Sequence, residues 1–340
     1  MTNIEEIEHK ILALAQNDQS GKAFDKLAID VFHYQYANCS IYRSFCELLN
    51  VSPSDISSIR DIPSLPISFF KTHKVTSGSE NFDVVFRSSR TTGQTPSQHF
   101  VRKVAWYNNI SRLGFESYYG PIADYVFFGL LPGYLERSDS SLVQMVQYFG
   151  GLSEPNFNRF YLDRLDDLIN DIQKAKASGR KIILIGVSFA LLDLAEQVKQ
   201  IDWNDVIVME TGGMKGRKKE IIRSELHDRL IKAFNVKSVH SEYGMTELLS
   251  QAYASKNGIL KPINTMKVLP GQLSDPLSYT VYGQQCQLRI IDLANIYSCS
   301  FLSTEDIGRV YTDGSFEVLG RMDNSEVRGC NLLYTEKNQK

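Results

Sequence analysis

No stretch of this 340-residue chain approaches the roughly 20 consecutive apolar residues that a membrane helix needs, and the start, Met1-Thr-Asn-Ile-Glu-Glu, has no basic segment leading into an apolar core. A membrane span and a secretory leader are therefore not expected, and the reading is a cytoplasmic protein. Charge of one sign is missing too. Lys and Arg number 37 against 39 Asp and Glu, a formal net charge of -2, with both signs interspersed, so no basic footprint points to nucleic acid. Cysteine is sparse: Cys39, Cys46, Cys286, Cys299 and Cys330 are odd in number, scattered and without a Cys-x-x-Cys pair, which argues against a disulfide framework or a zinc site and for reduced thiols. Internal repeats and low-complexity segments are also lacking.

What is present is a globular composition, 43% hydrophobic, long enough for a large α/β unit with lobes. Helical spacing of Ile4, Ile7, Ile11, Leu12 and Leu14, and a second helical pattern over 22–50, predict a helical cap over 1–75 that ends in the loop punctuated by Pro53, Pro63 and Pro66. Over 76–260, strand candidates (84–86, 125–130, 181–185, 206–210, 236–240) alternate with helical stretches (100–118, 140–149, 163–176, 188–200, 217–234). That alternation predicts a mainly parallel sheet flanked by helices. From 261 to 323 shorter alternating runs around Asp313-Gly314 predict a β-rich lobe with a hairpin, and 324–340 form a polar tail.

Residues 86–99, Phe-Arg-Ser-Ser-Arg-Thr-Thr-Gly-Gln-Thr-Pro-Ser-Gln-His, make a hydroxyl-rich loop directly after an apolar run. Ser88, Ser89, Thr91 and Thr92 with nearby backbone N–H groups can converge on phosphate oxygens, and Gly93 admits the close approach that a side chain would block. The loop, Gly212-Gly213 and Tyr243 each follow a strand candidate, where ligands of parallel sheets bind.

Four pieces in this order, the Ser/Thr/Gly loop, Tyr243-Gly-Met-Thr-Glu247, Asp306 and Gly320-Arg-Met-Asp323, resemble the adenylate-forming superfamily. Within it, Ile62-Pro-Ser-Leu-Pro-Ile-Ser-Phe-Phe-Lys71 and Glu326-Val-Arg-Gly-Cys-Asn-Leu-Leu333 look most like the acyl-protein synthetases of bacterial bioluminescence. The resemblance implies ATP and Mg²⁺ as cofactors, a fatty or other carboxylic acid as substrate, and an acyl acceptor such as an acyl-CoA-reductase-type protein or an acyl carrier. It implies Thr246 at the α-phosphate, Glu247 on the metal, Tyr243 and Gly244 with Gly212 and Gly213 at the adenine, Asp306 on the ribose, Arg321 on the same nucleotide and Asp323 as a hinge. Cys330 matches the cysteine that carries the acyl group in that family. As a plain free cysteine it reads equally as a small buried hydrophobe.

Two departures accompany the resemblance. Only residues 324–340 follow Asp323, too few for the superfamily's lid of about one hundred residues, roughly a small domain. Arg90 stands where the family pattern puts glycine. A guanidinium there adds charge-assisted bonds to phosphate or obstructs the backbone's approach. The same fold also suits an acyl-CoA ligase or acyltransferase, or a nucleotide-binding protein without catalysis. His73, His240 and Lys71 flank the candidate regions, and Phe69, Phe70, Tyr118, Tyr119, Phe127 and Phe128 read as core or acyl-pocket lining.

Overall fold

The computed structural model describes all residues except 1–2, 18–20, 79–80, 90–94, 132–138, 154–158, 162–163, 199, 213–220, 276 and 323–340. Three helices open the chain: α1 (Ile4–Gln16), α2 (Gly21–Asn38) and α3 (Ser40–Leu48). The Asn3 side chain accepts the backbone N–H of Glu5 at the start of α1, and two glutamates occupy its first turn, where the helix dipole favours them. Ile7, Ile11 and Leu14 form its buried stripe. On α2, the buried Gln35 amide donates to the carbonyls of Asn295 and Ile296 at 3.0 and 3.2 Å, tying the cap to a distant part of the chain.

A short strand β1 (Leu65–Pro66) and a single turn α4 (Phe69–Thr72) lead to a hairpin of β2 (Val84–Arg87) and β3 (Gln98–Val101). The run 84–86 is a strand as expected, but it pairs antiparallel with β3 in its own two-stranded sheet rather than joining the parallel one. The main sheet then follows: α5 (Val104–Tyr119), β4 (Tyr125–Leu130), α6 (Ser141–Leu152), β5 (Arg159–Tyr161), α7 (Leu165–Lys176), β6 (Lys181–Val187), α8 (Ser188–Gln197), β7 (Val206–Thr211), α9 (Arg223–Phe234), β8 (His240–Tyr243), β9 (Ala252–Ala254) and β10 (Lys261–Pro262). Its order is β10-β9-β8-β7-β6-β4-β5, with β5, β4, β6, β7 and β8 parallel and β9 and β10 antiparallel at one edge. All six residues of β4 and six of seven in β6 are buried, as strands covered by helices on both faces must be. The last strand before the Tyr243 segment begins at His240, where 236–240 was expected; the register follows the pairing of His240 with Met209.

The remaining strands, β11 (Met266–Gly271), β12 (Gln285–Asp292), β13 (Phe301–Val310) and β14 (Phe316–Arg321), form the second sheet in the order β1-β13-β12-β11, with β14 on β13. Asp313-Gly314 makes the expected turn between β13 and β14, with Gly314 at φ +83°. At the bulge in this pair a Cβ on Gly308 would lie 2.2 Å from the Glu317 carbonyl oxygen, so only glycine fits. The architecture is thus α/β with a mainly parallel sheet and a second, smaller β sheet, and no helix among the described residues is long and apolar enough to cross a membrane.

Candidate active site

Tyr243 is the last residue of β8, and the β13–β14 hairpin brings Asp306 and Arg321 against it. The Tyr243 hydroxyl donates to Asp306 Oδ2 at 2.8 Å, and Arg321 Nε donates to Oδ1 at 2.9 Å. Asp306 and Arg321 stand opposite one another in the ladder, so the pairing register itself aligns them. Tyr243 and Asp306 are buried, whereas the Arg321 side chain is 69% exposed. Burial and the Asp306 carboxylate push the Tyr243 phenol well above its usual range, so it stays a donor. The Tyr243 ring meets Phe316 edge-on at 5.4 Å, which fixes its plane.

Beyond Tyr243, Gly244 is exposed, and Thr246 and Glu247 sit in a turn rather than at the head of a helix. The turn is held by a residue that the motifs did not single out. His99 Nδ1 lies 2.9 Å from the Thr246 carbonyl and Nε2 2.9 Å from the Ser298 hydroxyl. A carbonyl only accepts, so Nδ1 carries the proton and Nε2 accepts from Ser298. Burial lowers the His99 pKa to about 4, which keeps the ring in this neutral tautomer. Asn295 Nδ2 donates to the Glu247 carbonyl at 2.7 Å.

The Glu247 carboxyl is buried, and burial pushes its pKa up against opposing contributions from Ser97, its own backbone N–H, Arg321 and Lys71. Ser97 in turn closes the neck of the hydroxyl-rich loop. Ser88 N–H donates to the Ser97 carbonyl at 3.1 Å, and Ser97 N–H donates to Ser88 Oγ at 2.9 Å. The base of the expected phosphate loop therefore lies against Glu247. Ser89 is exposed beside it. Arg90, Thr91, Thr92 and Gly93 fall outside the described residues, as do Gly213, Asp323, Cys330 and the tail 324–340.

At the end of β7, Ser188 Oγ donates to the Gly212 carbonyl at 2.8 Å, and Gly212 takes φ +69°. Glu210 is buried there, with Arg223 Nε at 3.2 Å and His227 Nε2 at 3.6 Å. Burial raises the Glu210 carboxyl, but His227, Arg223 and Ser241 hold it below the usual range. Thr211 Oγ1 donates to Glu242, the residue before Tyr243. The sequence reading passed over Glu242. Its signal was an acidic residue inside a strand that ends in the motif.

Of the other expected residues, His240 and His73 lie apart from this constellation, while Lys71 lies at its border beside Glu305 and close enough for its charge to act on Glu247. His240 Nδ1 meets the Tyr119 hydroxyl at 3.0 Å, His73 stacks on Phe69 at 5.0 Å, and Lys71 pairs with Glu305 at 3.5 Å. Phe70, Phe127 and Phe128 are buried among other aromatics: Phe70 edge-on to His99, Phe127 against Phe115. Among the described residues no three His, Cys, Asp or Glu side chains gather closely enough to hold a metal ion by themselves.

The profile described as Acyl-protein synthetase, LuxE matches residues 4–114. Over that segment the chain is similar to the acyl-protein synthetase family. Two curated relatives named long-chain-fatty-acid–luciferin-component ligase agree. That of Vibrio harveyi is 24% identical over 357 aligned positions, spanning 92% of this chain and 88% of the relative. That of Photorhabdus luminescens is 38% identical over 77 residues, 22% of this chain and 66% of the relative. Among solved structures, 2-hydroxyisobutyryl-CoA ligase in complex with 2-HIB-AMP and CoA matches 90% of this chain and 71% of its own at a TM-score of 0.66 and 14% identity. ATP-bound MatB from Rhodopseudomonas palustris matches with a TM-score of 0.54 at 12% identity, and the matched region spans about half of that chain. At these identities the likeness is one of fold: the two sheets are arranged as in those ligases.

Proposed function

We propose that this chain activates a carboxylic acid with ATP and passes the acyl group to a thiol. In the first step a carboxylate oxygen bonds to the α-phosphorus while the bond to the bridging oxygen breaks, releasing pyrophosphate and leaving acyl-AMP. In the second a thiolate bonds to the acyl carbon, AMP departs, and the thiol proton goes to solvent. The observation that carries the reading is the meeting of Tyr243 with Asp306, 63 positions away, and with Arg321 of the same hairpin as Asp306, beside a buried Glu247 and the neck of the hydroxyl loop.

The roles follow from the chemistry of each group. Asp306 has one partner on each oxygen, and a carboxylate offers about four acceptor positions, so it retains capacity for ribose hydroxyls. Gly212, Gly213, Tyr243 and Gly244 border the base, and Arg321 reaches the nucleotide from its exposed position. Ser88, Ser89, Thr91, Thr92 and Gly93 would cradle phosphate with Arg90, and Thr246 would meet the α-phosphate. Glu247 fits a divalent cation: it is buried, burial raises its pKa, and no cation among the described residues is in ion-pair contact with it. Mg²⁺ takes one or two protein carboxylates and otherwise phosphate and water, and would neutralise charge between the two anions. Cys330 is the proposed relay thiol, handing the acyl group to a partner protein or carrier. The relatives' names point to a fatty acid as the acid activated.

Carboxylate-dependent exchange of pyrophosphate into ATP tests the first half, and a base-labile acyl label lost in Cys330→Ser tests the second. Absence of exchange with every acid tried removes the activation step. Exchange without label removes the relay and leaves free coenzyme A as the acceptor to assay.

A further inference from the structure

Two buried carboxylates stand at the ends of neighbouring parallel strands, and the molecule treats them differently. Glu210 on β7 has Arg223 and His227 at its Oε1. Glu242 on β8 faces the opposite side of the sheet, and no cation among the described residues offsets it. Thr211 donates to its Oε2. The titratable groups around it are Tyr107 and Tyr119 of α5, Tyr253 of β9 and, across β7, Glu210. Burial and Glu210, only partly opposed by Thr211, push its carboxyl up to about 7.

Tyr253 stands directly opposite Glu242 in the β8–β9 ladder, and its hydroxyl, 1% exposed as a residue, has no hydrogen-bond partner. Gln251, 3% exposed, donates its amide N–H to the Leu249 carbonyl and leaves Oε1 unmet. Unmet buried polar atoms are uncommon in folded proteins, and two beside an uncompensated carboxyl form a polar corner waiting for a partner. The corner has an opening. Gly244 is exposed, and a Cβ there would lie 2.6 Å from Glu242 Oε1 and 3.9 Å from Gln251 Cγ. A ligand arriving at the Gly244 backbone thus meets the Glu242 carboxyl first. Thr246 is two residues further on, a span of at most roughly 7 Å, so whatever meets Glu242 lies close to the group being activated.

We propose that Glu242, with Thr211, Gln251 and Tyr253, reads the acid substrate, and that this acid bears a hydrogen-bond donor, a hydroxyl or an amine, on the carbons nearest its carboxylate. The inference rests on the activation reading and narrows its substrate class. A plain alkyl chain laid over this corner would leave the Tyr253 hydroxyl and Gln251 Oε1 unmet and the Glu242 carboxyl with Thr211 as its one hydrogen-bond donor among the described residues, and sites built to bind a hydroxyl or amine reject analogues lacking it.

The test compares octanoate, 3-hydroxyoctanoate and 3-aminooctanoate on the full-length protein, by pyrophosphate exchange for kcat/KM and by calorimetry for binding. At least a tenfold preference for one substituted acid over octanoate is expected, and the stronger arm tells hydroxyl from ammonium. Glu242→Leu is expected to remove the preference while octanoate is retained. Octanoate equal to or better than both substituted acids, or an unchanged ratio in Glu242→Leu, overturns the proposal. Should that variant not fold, Glu242→Met, closer in shape to glutamate, is read the same way. Absence of exchange with all three acids counts against the activation reading alone, and the calorimetric ratio then decides the substrate class.

Discussion

The Tyr243 hydroxyl and the Asp306 carboxylate are joined at 2.8 Å across the two sheets, one residue ending a strand of the parallel sheet and the other lying within the β13 ladder. The bond makes the nucleotide reading sensitive to the relative placement of the sheets. Asp306→Asn keeps the shape but removes the charge that faces Arg321 and the proposed ribose. ATP and AMP affinity is expected to fall at least tenfold by calorimetry. Arg321→Ala, changing an exposed side chain, should move the unfolding free energy by less than about 1 kcal/mol. Unaltered nucleotide affinity in Asp306→Asn would take Asp306 out of the site.

His99 holds the Thr246 turn by a proton on Nδ1 and accepts Ser298 at Nε2, so removing the ring takes the donor from the partly buried Thr246 carbonyl and leaves the Ser298 hydroxyl only its 3.4 Å bond to the Asn295 carbonyl. His99→Ala is expected to cost roughly 1 to 3 kcal/mol per unmet group in denaturant unfolding. Because the turn carries Thr246 and Glu247, kcat should fall by more than KM for ATP rises. A variant as stable and active as the parent would show that the turn holds itself.

The fold was legible because periodicity survives burial. The continuous apolar strands over 125–130, 181–185 and 206–210 and the helices between them were placed to within a few residues. The same signal misassigned 84–86 to the parallel sheet, since an apolar run of that length does not reveal its pairing partner, and Ser88–Ser97 closure of a hairpin is not visible in spacing. The candidate site was legible, as a meeting of residues, where those residues sit in ordered motifs, as Tyr243, Asp306 and Arg321 do. It was not where one side chain supports another from a distance: His99 is 147 positions from Thr246, and nothing local to either announces the contact.

Gly308 lies two residues from Asp306 on β13, at the bulge where β14 crosses closest. In Gly308→Ala the new methyl would sit 2.2 Å from the Glu317 carbonyl and 2.8 Å from Leu288 Cδ2, so the hairpin must shift. Overpacking of this kind costs about 1 to 3 kcal/mol, and here more is expected because backbone is the obstacle. The shift would also draw Arg321 off Asp306, so nucleotide affinity and melting temperature should fall together. A loss of stability with full nucleotide binding would show that the hairpin end tolerates the displacement.

Glu242 makes a pH prediction with a definite sign. Its carboxyl titrates near 7 in the folded chain against an ordinary value of 4.5, so between those pH values the folded state holds a proton that the unfolded state has released. Stability from this group is complete below pH 4.5 and is lost as pH rises to 7, at up to about 1.4 kcal/mol per pH unit. His99 and His240, whose pKa values burial lowers to about 4, act in the opposite direction below 6.5, but they are common to parent and variant and cancel in the difference. Glu242→Leu is therefore expected to gain on the parent as pH rises from 4.5 to 7, by roughly 2 to 4 kcal/mol in all, and to hold that gain above pH 7. Denaturant unfolding of both proteins at pH 4.5, 5.5, 6.5 and 7.5 measures the difference. A difference that stays constant across the series would mean that the carboxyl is ionised normally inside the fold and has a cation beside it.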